Sequence, residues 1–216
     1  MYEKFGQFID GKWQASSNKE TYEVINPANE EVIGLASKAT PEDVDRALKS
    51  AEKGLEVWKK TSPWKRSSVI RKIADLIRAK QDVLAKWITL EVGKPFLEGK
   101  GEVGATADIF EWNSEETKRI YGQTVESRFE DTRIHVYYQP IGVVAAMSPW
   151  NFPLVLSGRK ISTALAAGCS VIIKPDIIAP GGTMELVDIC REAGVPPGVV
   201  NLLSGDPPSI ASQLIS

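Results

Sequence analysis

Between residues 40 and 120 the apolar positions recur every three or four residues. Val44, Ala47, Leu48, Ala51, Leu55 and Trp58 form one such stripe, the period of an amphipathic helix. Thr40 before Pro41, with Asp43 three residues after the threonine, marks its start, because the threonine hydroxyl can accept an unpaired first-turn amide and proline suits the first helical position. Ser62-Pro63 opens a second helix with an apolar face of Val69, Ile70, Ile73, Ala74, Ile77, Leu84 and Ile88, which Gly93-Lys94-Pro95 breaks. A third helix runs from about Leu97 to Ile120 and ends before Gly122. The spacing thus predicts three long helices in series, with no chemical constellation on their polar faces.

The pattern differs on either side of these helices. Residues 1–35 read as short strands and turns, with Asp10-Gly11 as a hairpin signal and Asn26-Pro27-Ala28-Asn29 as a turn. Residues 125–138 alternate like a polar strand region; the lone His135 within it is assigned no role. From 142 to 205 short apolar runs alternate with helical ones. Gly142–Met147 is a strand buried on both faces, Leu154–Ala167 a helix closed by Gly168, and Ser170–Ile173 a second buried strand. Thr183–Ala193 is a helix closed by Gly194, and Val199–Leu203 a third strand. This β-α-β-α-β order with short connections predicts a parallel sheet with right-handed crossovers, one half of a doubly wound dinucleotide-binding fold. The fold class is therefore α/β: an N-terminal helical and strand region followed by an incomplete Rossmann-like sheet. Three segments follow, 1–122, 123–141 and 142–216.

Open α/β sheets bind ligands at the carboxyl ends of their strands. The three strands deliver Ser148-Pro149-Trp150-Asn151-Phe152-Pro153, Lys174-Pro175-Asp176 and Ser204-Gly205-Asp206-Pro207 to one rim. That rim offers an amide, a cation, an aromatic plane and a glycine allowing close backbone approach. Singly, Asn151 could be only a turn residue and Lys174 only a solvated charge. Convergence on one rim favours a nucleotide site, although no G-x-G-x-x-G fingerprint lies in this stretch.

Composition narrows the partners. With 26 Lys+Arg against 28 Asp+Glu, the chain has a formal charge of −2 and no basic field for a phosphate backbone, so nucleic acid is not an expected partner. There is no basic leader followed by an apolar run, and no apolar stretch of about eighteen residues, so neither a signal peptide nor a membrane span is expected and a cytoplasmic location is. Cys169 and Cys190 lie in apolar surroundings and read as reduced, buried thiols; with one histidine they cannot build a zinc site.

Several motifs taken together resemble the aldehyde dehydrogenase superfamily along the whole chain. They are Ile25-Asn26-Pro27-Ala28, Glu91-Val92-Gly93-Lys94-Pro95, Ser148–Pro153, Ala164–Cys169, Lys174-Pro175, Gly194–Asn201 and Gly205. The resemblance implies oxidation of an aldehyde to an acid with NAD or NADP. It implies that Asn151 donates its side-chain amide to the developing oxyanion. Trp150 and the backbone of Met147 and Ser148 would line the nicotinamide end. Lys174 would bond the adenosine ribose or its 2′-phosphate, beside Pro175, and Gly205 would lie near the adenine. Arg159-Lys160 and Glu115–Gly122 resemble the succinate-semialdehyde dehydrogenase subgroup, in which an arginine at the position of Arg159 holds the substrate's distal carboxylate; alternatively Arg159 merely faces solvent. Residues 125–140 resemble the family's oligomerisation strands, implying a dimer or tetramer of the full-length enzyme.

Two departures qualify the resemblance. Where the family commonly has Ser or Ala and then a ribose-binding Glu after Lys-Pro, this chain has Asp176 and Ile177. Ile177 cannot accept a hydrogen bond, and Asp176 would repel a 2′-phosphate, which tilts the expectation toward NAD. The family's catalytic cysteine, general-base glutamate and glycine-rich cofactor loop correspond to sequence beyond Ser216. The expectation is a truncated chain, inactive alone, whose three parallel strands leave a sheet edge open and whose last residues fall inside a helix. The alternative is a non-catalytic nucleotide-binding or structural fragment.

Overall fold

The computed structural model describes residues 2–215. Its first helix, α1 (Pro41–Trp58), starts where the sequence predicts: the Thr40 hydroxyl accepts from the Asp43 amide and the Asp43 carboxylate accepts from the Thr40 amide. The predicted second helix is two helices. α2 (Pro63–Ala79) ends at Lys80, and α3 (Gln81–Val92) begins at once. Ala79-Lys80-Gln81 contains neither glycine nor proline, so no local signal marks the break. The change of direction lets α2 and α3 both lie on α4 (Phe96–Glu116) and on α6 (Gly181–Ala193). α4 gives way to a short 3-10 turn at Thr117–Arg119.

The parallel strands are β7 (Val143–Met147), β8 (Ser170–Lys174) and β9 (Val200–Leu202), joined by α5 (Pro153–Ala167) and α6. Gly168 and Gly194 close these helices at φ 86° and 96°, conformations that cost a glycine little. Along β8 the pleat divides two cores. Val171 and Ile173 pack with Leu154, Ile161, Leu186 and the α2–α4 layer. Ile172 packs the other way, against Val44, Ala47 and Ala51 of α1 and Ile210 of α7 (Pro207–Ile215). The layers are therefore α1/α7, sheet, α5/α6 and α2–α4.

Two expectations about the sheet are corrected. β7 is not buried on both faces: Ala145 is exposed, Val143, Val144 and Met147 are half-buried and only Ala146 is buried, because β7 is an edge of the sheet. Nor does the sheet hold only three strands. The hairpin of β1 (Gln7–Ile9) and β2 (Lys12–Gln14) adds to β9 antiparallel, giving the order β2-β1-β9-β8-β7. Buried Gln7 secures it by imitating a peptide group: its side chain donates to the Ser204 carbonyl (3.0 Å) and accepts from the Ser204 amide (2.8 Å). Among the described residues the sheet ends at β2 on one side and at β7 on the other. Two further hairpins, β3–β4 (Thr21–Ile25 and Val32–Ser37) and β5–β6 (Gln123–Glu126 and Arg133–Val136), form separate ribbons; β5–β6 is exposed at every position.

Candidate functional site

The parallel register puts Met147 opposite Lys174, and the segments after β7, β8 and β9 emerge on one rim, as the sequence predicts. In a doubly wound fold the amides of the helices that start at this rim commonly face a phosphate. Here they are engaged internally. The Glu102 carboxylate of α4, buried, accepts from the amides of Leu154 (2.9 Å) and Val155 (3.3 Å) in the first turn of α5. The Glu91 carboxylate of α3 accepts from Gly181 (2.7 Å) and Gly182 (3.2 Å) at the start of α6, and from the Tyr2 hydroxyl. Burial pushes the Glu91 carboxyl up to about 7, against these donors. α7 starts with two prolines, which have no N–H, and its Ser209 amide is taken by Asp206 (3.2 Å).

Lys174 is in the opposite situation. It is 4 % exposed overall, and its ammonium, which keeps contact with solvent, has no hydrogen bond or ion pair among the described residues. Burial pulls its pKa below the ordinary lysine value, although the Asp176 and Asp206 charges oppose this. Its three donors are therefore free to meet an acceptor brought by a ligand. Beside it, Asp176 uses one carboxylate oxygen to accept from the Ile178 amide (3.1 Å), while Ile177 offers only an exposed apolar side chain.

The turn after β7 is open. Trp150 and Phe152 are about half exposed, and the Asn151 amide is exposed with no side-chain partner among the described residues. Ser148 differs: its hydroxyl joins a buried chain through Ser157 (2.7 Å) to Thr183 (2.9 Å), tying the rim to α5 and α6. The Met147 carbonyl accepts from Lys160. Gly205 is buried with φ 147°, and a Cβ there would lie 2.8 Å from the Ala39 amide nitrogen; this close backbone approach suffices to require glycine.

Arg159 is exposed and lines an open, largely apolar groove of about 520 Å³ between β7 and α5, with Ile141, Val144, Ala145, Thr163 and Cys169. Its guanidinium has no partner among the described residues, and Asn151 is not part of the groove lining. Cys169 and Cys190 are both buried, and burial pushes the Cys190 thiol up to about 12. Neither is a nucleophile as it stands.

Residues 13–216 match the aldehyde dehydrogenase family. The chain belongs to this family. It is 40 % identical over 207 residues to a glutarate-semialdehyde dehydrogenase of Pseudomonas putida, covering 96 % of this chain and 43 % of that protein. It is 39 % identical to an NADP-dependent succinate-semialdehyde dehydrogenase of Escherichia coli, again covering 96 % and 43 %. The crystal structure of a succinate-semialdehyde dehydrogenase from Burkholderia pseudomallei superposes with a TM-score of 0.95 at 37 % identity, covering 97 % of this chain and 44 % of that one. The chain thus spans less than half the length of the aldehyde dehydrogenases it matches. A betaine aldehyde dehydrogenase from Staphylococcus aureus, similar with a TM-score of 0.93, was crystallised with NAD+.

An aldehyde dehydrogenase needs a dinucleotide, and the rim fits one unevenly. Lys174 and the free oxygen of Asp176 suit ribose hydroxyls. The starts of α5, α6 and α7 are closed to its phosphates. Along the sequence Glu91 and Lys94 stand out only as parts of a motif, and Glu102 does not stand out at all. Their signal was nonetheless present. Glu91 continues the buried stripe Leu84–Ile88, and Glu102 sits in the stripe Gly99, Val103, Thr106, Phe110. An acid in an apolar stripe requires a partner.

Among the described residues no helix is long and apolar enough to cross a membrane.

Proposed function

We propose that this chain forms the adenosine-binding rim and supplies the oxyanion donor of an NAD(P)-dependent semialdehyde dehydrogenase. The observation that carries the reading is Lys174, whose stem is buried and whose ammonium has no protein acceptor, at the rim onto which the unpaired Asn151 amide also opens. When bound, the dinucleotide accepts hydride from the substrate. Lys174 donates to the ribose, Asp176 accepts from it, and Trp150 with the Met147–Ser148 backbone borders the nicotinamide. Pro175 and Gly205 border the adenosine, and Ile177 gives it an apolar contact. Asn151 donates its side-chain amide to the carbonyl oxygen as charge develops there, a contribution commonly worth about 10²–10³ in rate.

As the family resemblance implies, the reactive thiol and the general base come from polypeptide other than these 216 residues; the two cysteines here, Cys169 and Cys190, are buried. The 216 residues alone therefore bind nucleotide without turning over aldehyde. Asp176 beside the ribose favours NAD over NADP, because its charge opposes a 2′-phosphate. The assembled enzyme is a homo-oligomer built through the exposed β5–β6 ribbon, and works in the cytoplasm.

Arg159, unpaired and exposed, pairs with the distal carboxylate of a short semialdehyde such as those its relatives are named for. The test is a substrate panel on the active dehydrogenase. Succinate or glutarate semialdehyde should be preferred over an uncharged aldehyde of the same length. Arg159→Ala should raise KM for the carboxylated substrate ~10–100-fold, the loss of one charge-assisted pair, and leave the uncharged one unchanged. Equal effects on both would remove the semialdehyde assignment.

A further inference from the structure

The Asn151 turn is not held by its own hydrogen bonds. Its support reaches it from the break between α3 and α4. Lys94 lies in that break, and its ammonium pairs with Glu102 at 2.6 Å, the two side chains being 12 % and 1 % exposed. The same ammonium donates to the Asn151 carbonyl at 3.2 Å and stands 3.8 Å from the centre of the Phe152 ring. The partner carboxylate holds the Leu154 and Val155 amides with its other oxygen. One buried ion pair thus grips the chain at the Asn151–Phe152 peptide and again at the Leu154 and Val155 amides, and Pro153 between the two grips fixes its own φ.

We propose that Lys94 and Glu102 are positioning residues for Asn151: they set the plane of the Asn151–Phe152 peptide and so the direction of the Asn151 side-chain amide. This rests on the oxyanion role given to Asn151 above. The pair touches neither substrate nor cofactor. The physical ground is that an oxyanion donor works by being aimed before charge develops, and that an error of about 1 Å in such a group can cost ~10²-fold in rate. An exposed amide on an otherwise unsupported turn would sample many directions. A cation held by a buried carboxylate fixes the carbonyl, and with it the peptide plane.

The experiment compares Lys94→Met, Lys94→Arg and Glu102→Gln, each with and without Asn151→Ala, in the active dehydrogenase. Lys94→Met is expected to lower kcat ~10–100-fold while KM for the aldehyde and Kd for NAD stay within about twofold. Lys94→Arg keeps the charge and should recover part of the loss; it also serves if the methionine variant folds poorly. In the Asn151→Ala background the Lys94 change should have no further effect, because a residue acting only through Asn151 has nothing left to act on. The same fold loss with and without Asn151 would overturn the proposal. Unchanged kcat in Asn151→Ala itself would instead remove the oxyanion role on which it rests. Independently of activity, Glu102→Gln in the 216-residue chain should speed amide exchange at Leu154 and Val155 and leave the later turns of α5 protected. Unchanged exchange there would deny that Glu102 holds the turn.

Discussion

Replacing Lys174 by methionine should change stability and nucleotide binding in opposite directions. Methionine keeps most of the stem's volume, and the position lies at the last residue of β8, whose carbonyl still accepts from the Ser148 amide at 3.1 Å. What changes is the ammonium. The side chain as a whole is almost fully buried, while the unpaired ammonium keeps some solvent contact; an unsatisfied buried donor costs about 1–3 kcal/mol. A remnant of solvent contact points to the lower end. The substitution should therefore stabilise the nucleotide-free chain by about 1 kcal/mol, a rise in Tm of roughly 2–4 °C for a domain of this size. The same substitution deletes a charged hydrogen bond to the ribose, about 1.5–3 kcal/mol, which weakens Kd by ~10–150-fold. Calorimetric titration of the 216-residue chain with NAD, alongside thermal unfolding without nucleotide, measures both. A lower Tm with unchanged Kd would refute the reasoning, because it would make Lys174 a structural residue that does not touch the cofactor.

Three other outcomes follow from the geometry. Glu91 should make folding stability fall as pH rises: its folded pKa of about 7 lies above the ordinary 4.5, so its contribution is full below 4.5 and lost on passing 7, about 3 kcal/mol in all. Denaturant midpoints of the native chain and Glu91→Gln between about pH 5 and about pH 8 test this; parallel profiles would contradict it. Gly54→Ala should cost about 3 kcal/mol in chemical denaturation, since its Cβ would lie 2.2 Å from the Gly198 carbonyl carbon, backbone that cannot rotate away; an unchanged midpoint would show that α1 can shift at no cost. Asp176→Ser should tighten NADP binding ~10-fold relative to NAD, about 1.4 kcal/mol, and an unchanged ratio would take Asp176 out of the cofactor preference.

The local and periodic features of this protein were legible along the chain. The Thr40 cap, the glycine stops at 168 and 194, and the alternation that makes β7, β8 and β9 parallel all depend on neighbours within a few residues. So did the common rim of Asn151 and Lys174, because parallel strands with short crossovers must present their carboxyl ends together. The family motifs then gave those residues roles that pattern could not. Only the tertiary structure decided the rest. The break at Lys80, the β1–β2 hairpin on the edge of β9 and the exposed edge of β7 come from packing between segments far apart in sequence. The buried acids are the clearest case. Glu91 and Glu102 meet Gly181 and Leu154 across about ninety and fifty residues. A carboxylate's partner is set by where two helices come to lie, which no spacing along the chain encodes.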